Sequence, residues 1–95
     1  MVTHIVIFTW LPGVSDEQVI AFGLALDRLA ELRSDLVAIR HGRDLAFREG
    51  NGDYALVGTF ADKAGWDEYQ SDPDHKAFVR DYVMPMQASR LTIQF

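Results

Sequence analysis

The stretch Thr3-His4-Ile5-Val6-Ile7-Phe8-Thr9-Trp10-Leu11, closed by Pro12-Gly13, decides how the rest of the chain is read. It is dense in β-branched and aromatic residues and stops at a turn dipeptide, which predicts a strand. Strand side chains alternate, so His4, Val6, Phe8 and Trp10 point one way and Thr3, Ile5, Ile7 and Thr9 the other. Both sets are largely apolar. Helices are therefore expected over one face of the sheet and a second layer over the other.

Outward from that strand, Ser15 with Gln18 three residues on forms a capping-box pattern. Val19, Phe22, Leu26, Leu29 and Leu32 then recur at helical spacing, predicting a helix from Asp16 to Arg33. Gly23 weakens its middle by about 1 kcal/mol relative to alanine, which points to close packing at that position. Leu36 to Leu45 is expected to be a second strand, interrupted at Gly42, and Phe47 to Gly52 a polar turn. Asp53 to Phe60 is the third strand, with Tyr54, Leu56 and Phe60 on one face and Ala55, Val57 and Thr59 on the other. Asp62 caps a short helix carrying Trp66 and Tyr69. Asp72-Pro73 opens another that carries Phe78, Val79, Tyr82 and Val83 and ends at Pro85. In the last strand, Arg90 to Phe95, the residues Leu91, Ile93 and Phe95 are expected inward and Arg90, Thr92 and Gln94 outward.

The order strand, helix, strand, strand, helix, strand is the split βαβ pattern. It predicts an α+β, ferredoxin-like domain over residues 1–95, with a four-stranded antiparallel sheet and helices on one face. With His4, Val6 and Phe8 assigned to the uncovered face, water would meet a large apolar patch, which monomers rarely tolerate. A symmetric homodimer with two sheets face to face would cover it and give a barrel-like interior.

Composition narrows the partners. The chain has 95 residues with 9 Lys and Arg against 14 Asp and Glu, a net charge of −5, and its basic residues are scattered. Nucleic acid and anionic membranes are thus not expected partners. It has no cysteine, so disulfides and thiolate chemistry are excluded. The N-terminus lacks the features of a signal peptide and no apolar run approaches the roughly 18 residues of a membrane span, which suggests a cytoplasmic protein.

The segment Tyr69-Gln70-Ser71-Asp72-Pro73-Asp74-His75-Lys76-Ala77-Phe78 carries the chemistry. Asp72 as the cap and Pro73 as the first helical residue place His75 in the first turn. There the helix dipole disfavours an imidazolium while Asp72 and Asp74 favour one, so the sign of its pKa shift is open. His75 is a candidate general base taking a proton next to a carbonyl, with Tyr69 donating a hydrogen bond to the developing oxyanion. An exposed helix-start histidine and a packing tyrosine are the plainer assignments. His4 lies on an apolar strand face, where a satisfied core histidine is the default. His41, beside Gly42, is expected at the surface. The three histidines at 4, 41 and 75 contain no local ligand pair, so no metal site is expected. No nucleophile elbow or phosphate cradle occurs either.

His4-Ile5-Val6-Ile7-Phe8, the Pro12-Gly13 turn, Gly52-Asp53-Tyr54-Ala55-Leu56-Val57 and Tyr69…Asp72-Pro73-Asp74-His75…Phe78, taken together and in this order, resemble the Dabb family of stress-responsive dimeric α/β barrels. The resemblance spans essentially the whole chain. It implies a homodimer, and most members have no settled activity. In the polyketide cyclase branch, which includes olivetolic acid cyclase, a tyrosine and a histidine around an HPxH-like helix start carry a cofactor-free aldol cyclisation. Those residues match Tyr69 and His75, and a strand histidine of that pocket matches His4. Asp72 departs from the family, which often has a histidine there, and is expected to make the site more acidic.

The resemblance therefore implies a cofactor-free cyclase or lyase, or a binding protein, for a small aromatic or polyketide-like carbonyl compound. Tyr69 and His75 would lie at the pocket mouth, with Val6, Phe8 and Phe78 as apolar contacts and His4 as a polar one. The alternatives are a non-enzymatic stress-related dimer with a vestigial pocket and a cofactor-independent monooxygenase of another dimeric ferredoxin-like group. If the cavity beside His75 is smaller than a drug-sized ligand, or if the imidazole points into bulk solvent, both the enzyme reading and the binding reading fail.

Overall fold

The computed structural model describes residues 1–33 and 36–95. Strand β1 (Val2–Trp10) leads into helix α1 (Asp16–Leu32), then strands β2 (Leu36–Arg43) and β3 (Tyr54–Phe60). Two short helices follow, α2 (Lys63–Ser71) and α3 (Pro73–Phe78). A π-helical turn (Val79–Val83) and a short helical segment α4 (Met84–Met86) lead into β4 (Gln87–Gln94). The sheet order is β2-β3-β1-β4, with antiparallel pairing throughout. This is the ferredoxin-like arrangement expected from the element order.

Local chemistry sets the helix starts. The Ser15 hydroxyl accepts from the Gln18 amide at 3.2 Å while the Gln18 side chain accepts from the Ser15 amide at 2.8 Å. Both halves of the capping box are therefore present. Asp62 accepts from the Gly65 amide at 2.9 Å, and Asp72 from the His75 amide at 3.0 Å with Pro73 as the first helical residue. Each bond satisfies an amide that the helix itself leaves without a partner.

Pro85 does not end the helical path. The Met84 amide donates to the Val79 carbonyl, five residues back, and this wider turn admits a proline at the following position.

The sheet faces are the reverse of those assigned from the pattern. His4, Val6 and Phe8 lie beneath the helices and are buried, alongside Tyr54, Leu56 and Phe60 of β3. The uncovered face carries Ile5, Ile7 and Val57, with Ile93 paired to Ile5 and Leu91 to Ile7. Leu91, Ile93 and Phe95 are consequently 74%, 58% and 73% exposed in the single chain, and Arg90, Thr92 and Gln94 turn to the helix side. Alternation in β1 divides the side chains into two sets without saying which set meets the helices, since both are apolar. Aromatic packing decides it. Phe22 of α1 is wholly buried and meets Phe8, Trp10, Tyr54 and Phe78 at ring-centroid distances of 5.3, 5.0, 5.0 and 5.2 Å. Such edge-to-face and tilted contacts add about 0.5–1.5 kcal/mol each beyond their buried area.

Candidate functional site

Six side chains singled out from the sequence line one cavity between the sheet and the C-terminal helical layer. His4, Val6 and Phe8 reach it from β1, Tyr69 from α2, and His75 and Phe78 from α3. On α2, Trp66, Tyr69 and Gln70 share a face at helical spacing, and His75, Phe78 and Val79 do the same one helix later. The π-helical turn then delivers Val83 to the same wall. The cavity encloses about 140 Å³. Drug-sized ligand sites run to roughly 300–1,000 Å³, so the size criterion set from the sequence fails: catalysis on, or binding of, a drug-sized or polyketide-like compound is ruled out. Only a ligand of about one benzene ring, which a cavity of about 150 Å³ holds, is left to consider.

His75 does not point into bulk solvent. Its Nδ1 is buried with no hydrogen-bond partner among the described residues, and its ring lies 4.1 Å, centroid to centroid, from that of Tyr69 at an angle of 34°. Tyr69 is only 2% exposed and lines the inner cavity, deeper than the mouth at which it was expected. Burial pushes the His75 imidazole below its ordinary pKa; the Gln70 backbone and Asp72 oppose the shift, and His4 and Arg33 add to it. The sign left open by the sequence is therefore downward, because desolvation outweighs the neighbouring carboxylate.

His4 is held as a neutral ring of defined tautomer. Its Nδ1 accepts from the Trp66 indole N–H at 3.3 Å and contacts the Gln94 amide nitrogen at 2.9 Å. An indole nitrogen only donates, so Nδ1 carries a lone pair and the ring proton sits on Nε2. Burial, helped by the Arg90 charge, lowers the His4 pKa as well. The site thus brings two imidazoles of lowered pKa, those of His4 and His75, to the wall of one cavity.

Asp72 does not make this site acidic. It is ion-paired with Arg33, and the two side chains are 14% and 13% exposed. The pair ties the end of α1 to the start of α3 and offsets the carboxylate charge. Arg33, Trp66 and Gln94 are the participants that the sequence did not single out. Trp66 reads as an ordinary core aromatic, and Gln94 was assigned to the opposite sheet face.

A second polar array lies on the other side of α1, and it corrects the surface assignment of His41. The His41 Nε2 meets the Asp27 carboxylate at 2.6 Å and its Nδ1 meets the Tyr54 hydroxyl at 2.6 Å, with the His41 side chain 13% exposed. Gly23 makes room for it. A Cβ at this position would lie 2.9 Å from the Tyr54 hydroxyl oxygen. The signal in the sequence is the pair Gly23 and Asp27, which lie i and i+4 on one helix face and combine a gap with a carboxylate. Gly23→Ala is expected to destabilise the fold by about 1–3 kcal/mol despite its better helix propensity, because it overpacks a hydroxyl held by hydrogen bonding. Urea unfolding checks this, with Tyr54→Phe in the same chain expected to recover part of the loss. Equal or greater stability of Gly23→Ala alone would show that the contact is unimportant.

Asp53 lies immediately before β3, and its carboxylate accepts from the Trp10 amide at 2.7 Å, a link to the end of β1 rather than a local turn bond. No helix among the described residues is long and apolar enough to cross a membrane.

Among solved structures, a dimeric ferredoxin-like protein from Thermobifida fusca is 34% identical with a TM-score of 0.92, the match covering 99% of this chain and 88% of that one. A Dabb family protein with a ferredoxin-like fold from Mesorhizobium loti is 23% identical with a TM-score of 0.83, covering 99% and 93%. The hydroxynitrile lyase from Passiflora edulis shares the fold at 18% identity and a TM-score of 0.87, covering 99% and 90%. No curated protein sequence matches the chain. The Stress responsive A/B Barrel Domain profile, Dabb, matches residues 2–95, and with the fold and the T. fusca likeness it establishes that the chain belongs to the Dabb family.

Proposed function

We propose that this protein is a homodimeric, cofactor-free acid–base catalyst acting on a small carbonyl compound whose apolar part is about one ring in size. The observation that carries it is the buried Nδ1 of His75, without a hydrogen-bond partner among the described residues, on a ring lining the same cavity as Tyr69 and His4. A buried nitrogen without a protein partner costs about 1–3 kcal/mol unless a water or a ligand supplies the bond, and a ligand in the cavity would be placed to do so.

The neutral His75 imidazole would take a proton from the carbon next to a carbonyl. The C–H electron pair becomes the carbon–carbon double bond of an enolate, and the carbonyl π pair moves onto oxygen. The Nε2–H of His4 and the hydroxyl of Tyr69 would donate hydrogen bonds to that oxygen. The resulting carbon nucleophile can close a ring or be reprotonated, and run backwards the same steps cleave a bond. The likeness to a hydroxynitrile lyase accords with lyase chemistry on this scaffold. The dimer would cover the apolar sheet face, in keeping with relatives described as dimeric.

The test is deuterium exchange into the methyl group of acetophenone in D₂O, followed by proton NMR. Exchange well above that of free imidazole at the same concentration is expected. Exchange no faster than free imidazole, with acetophenone shown to occupy the cavity, would reduce the protein to a binding module.

A further inference from the structure

The mouth of the cavity reverses the sign of the chain's charge. The net charge is −5, yet the outer cleft of about 400 Å³ is lined by Lys76, Arg80 and Arg90 and, among the described residues, by no carboxylate. This cleft shares Gln70, His75, Val79 and Arg90 with the inner cavity, so the two are adjoining parts of one site. Arg80 is largely spent, since its guanidinium donates to both Asp81 carboxylate oxygens at 2.8 and 3.0 Å. Lys76 and Arg90 have no carboxylate partner among the described residues. The nearby Asp72 is held by Arg33 and by the His75 amide. Arg90 projects to the helix side of β4, away from the uncovered sheet face, so a face-to-face dimer leaves the cleft open.

We infer that the site takes an anionic small molecule, with its apolar part in the inner cavity and its carboxylate in the outer cleft against Lys76 and Arg90. Two volumes of different character divide the work. The inner walls, among them Val6, Leu56 and Val83, suit a ring or short chain, while the cleft offers the cations of Lys76 and Arg90 in the same lining as His75. The charge also acts before binding, because a cationic cleft on an acidic protein draws anions toward this opening and repels them from the acidic surface. The inference rests on the proposed use of the inner cavity and specifies its substrate class.

Benzoate and benzamide test it, since they match in ring and size and differ in charge. Binding to the full-length protein is measured by NMR titration at low and at about 0.5 M salt, where screening shortens the Debye length to a few ångströms. Two weak ion pairs predict benzoate to bind about 3- to 20-fold more tightly at low salt. That advantage is expected to shrink below about twofold at high salt, and likewise in the Lys76→Gln/Arg90→Gln double variant. The wild-type salt titration stands even if the variant does not fold. Equal affinity for the two probes, or an advantage insensitive to salt, overturns the inference and leaves the cavity as a site for neutral ligands. Binding of neither probe overturns the use of the inner cavity itself and the inference with it.

Discussion

Replacing His75 by glutamine is expected to lower the rate of acetophenone deuterium exchange by about 10²–10⁴-fold, the usual contribution of a positioned general base. Glutamine keeps hydrogen-bonding capacity and similar bulk but cannot accept a proton at neutral pH, so ligand affinity should change far less than the rate. That split separates chemistry from binding. If both fall together the imidazole mainly shapes the cavity, and if neither falls another group is the base.

The pH profile of the wild-type protein adds a second readout. The proposed base would work unprotonated, and burial holds the His75 pKa below the ordinary histidine value of about 6.5. The exchange rate should therefore stay level on acidification past that value and fall only as pH drops through the lower folded-state pKa. Stability follows the same direction. With the folded-state pKa of His4 and His75 depressed, the unfolded chain binds protons first as pH falls below about 6.5, so acid in that window destabilises the fold. His75→Gln should reduce this dependence, a change that chemical denaturation at a series of pH values would detect.

Ile93→Asp is expected to convert the proposed homodimer to a monomer. Ile93 lies opposite Ile5 on the uncovered face, next to the Leu91–Ile7 pair, and is 58% exposed in the single chain. Two sheets packed through this face would bury it, and a two-fold axis places the new carboxylate in the interface twice. Removing an unpaired carboxylate from water costs several kcal/mol per ion, comparable to the stability of many dimers. Sedimentation should give twice the 10.7 kDa chain mass for the wild type and a single chain for the variant. A monomeric wild type at micromolar concentration, or a variant that stays dimeric, would remove this face as the contact.

The element order is legible in the chain because its signals are local. Capping pairs such as Ser15 and Gln18, the Asp72-Pro73 start and the alternation of Tyr54, Leu56 and Phe60 each depend on a few consecutive residues. Which face of a two-sided strand meets the helices is a different kind of question. Ile5 and Ile7 are as apolar as Val6 and Phe8, and only the aromatic contacts around Phe22 separate them. The same holds for β4, whose register against β1 turns Gln94 and Arg90 toward the cavity.

The site divides along the same line. Tyr69, His75 and Phe78 share one short segment, and their convergence follows from its helix-start chemistry. The partners of His4 come from positions 66 and 94, and the ion pair of Asp72 from position 33, separations that no local pattern spans. The downward pKa shift of His75 depends on burial by all of these elements together, which is why the neighbouring charges alone left its sign open.

The most direct measurement is the position of acetophenone on the protein, mapped by methyl NMR of isotopically labelled Val, Leu and Ile. A ligand in the cavity should shift the methyl signals of Val6, Leu56, Val79 and Val83 together with the His75 ring, and leave Ile5, Ile7 and Ile93 on the opposite face unchanged. Shifts confined to the Ile5, Ile7 and Ile93 face, or none at millimolar ligand, would contradict a functional site at His75.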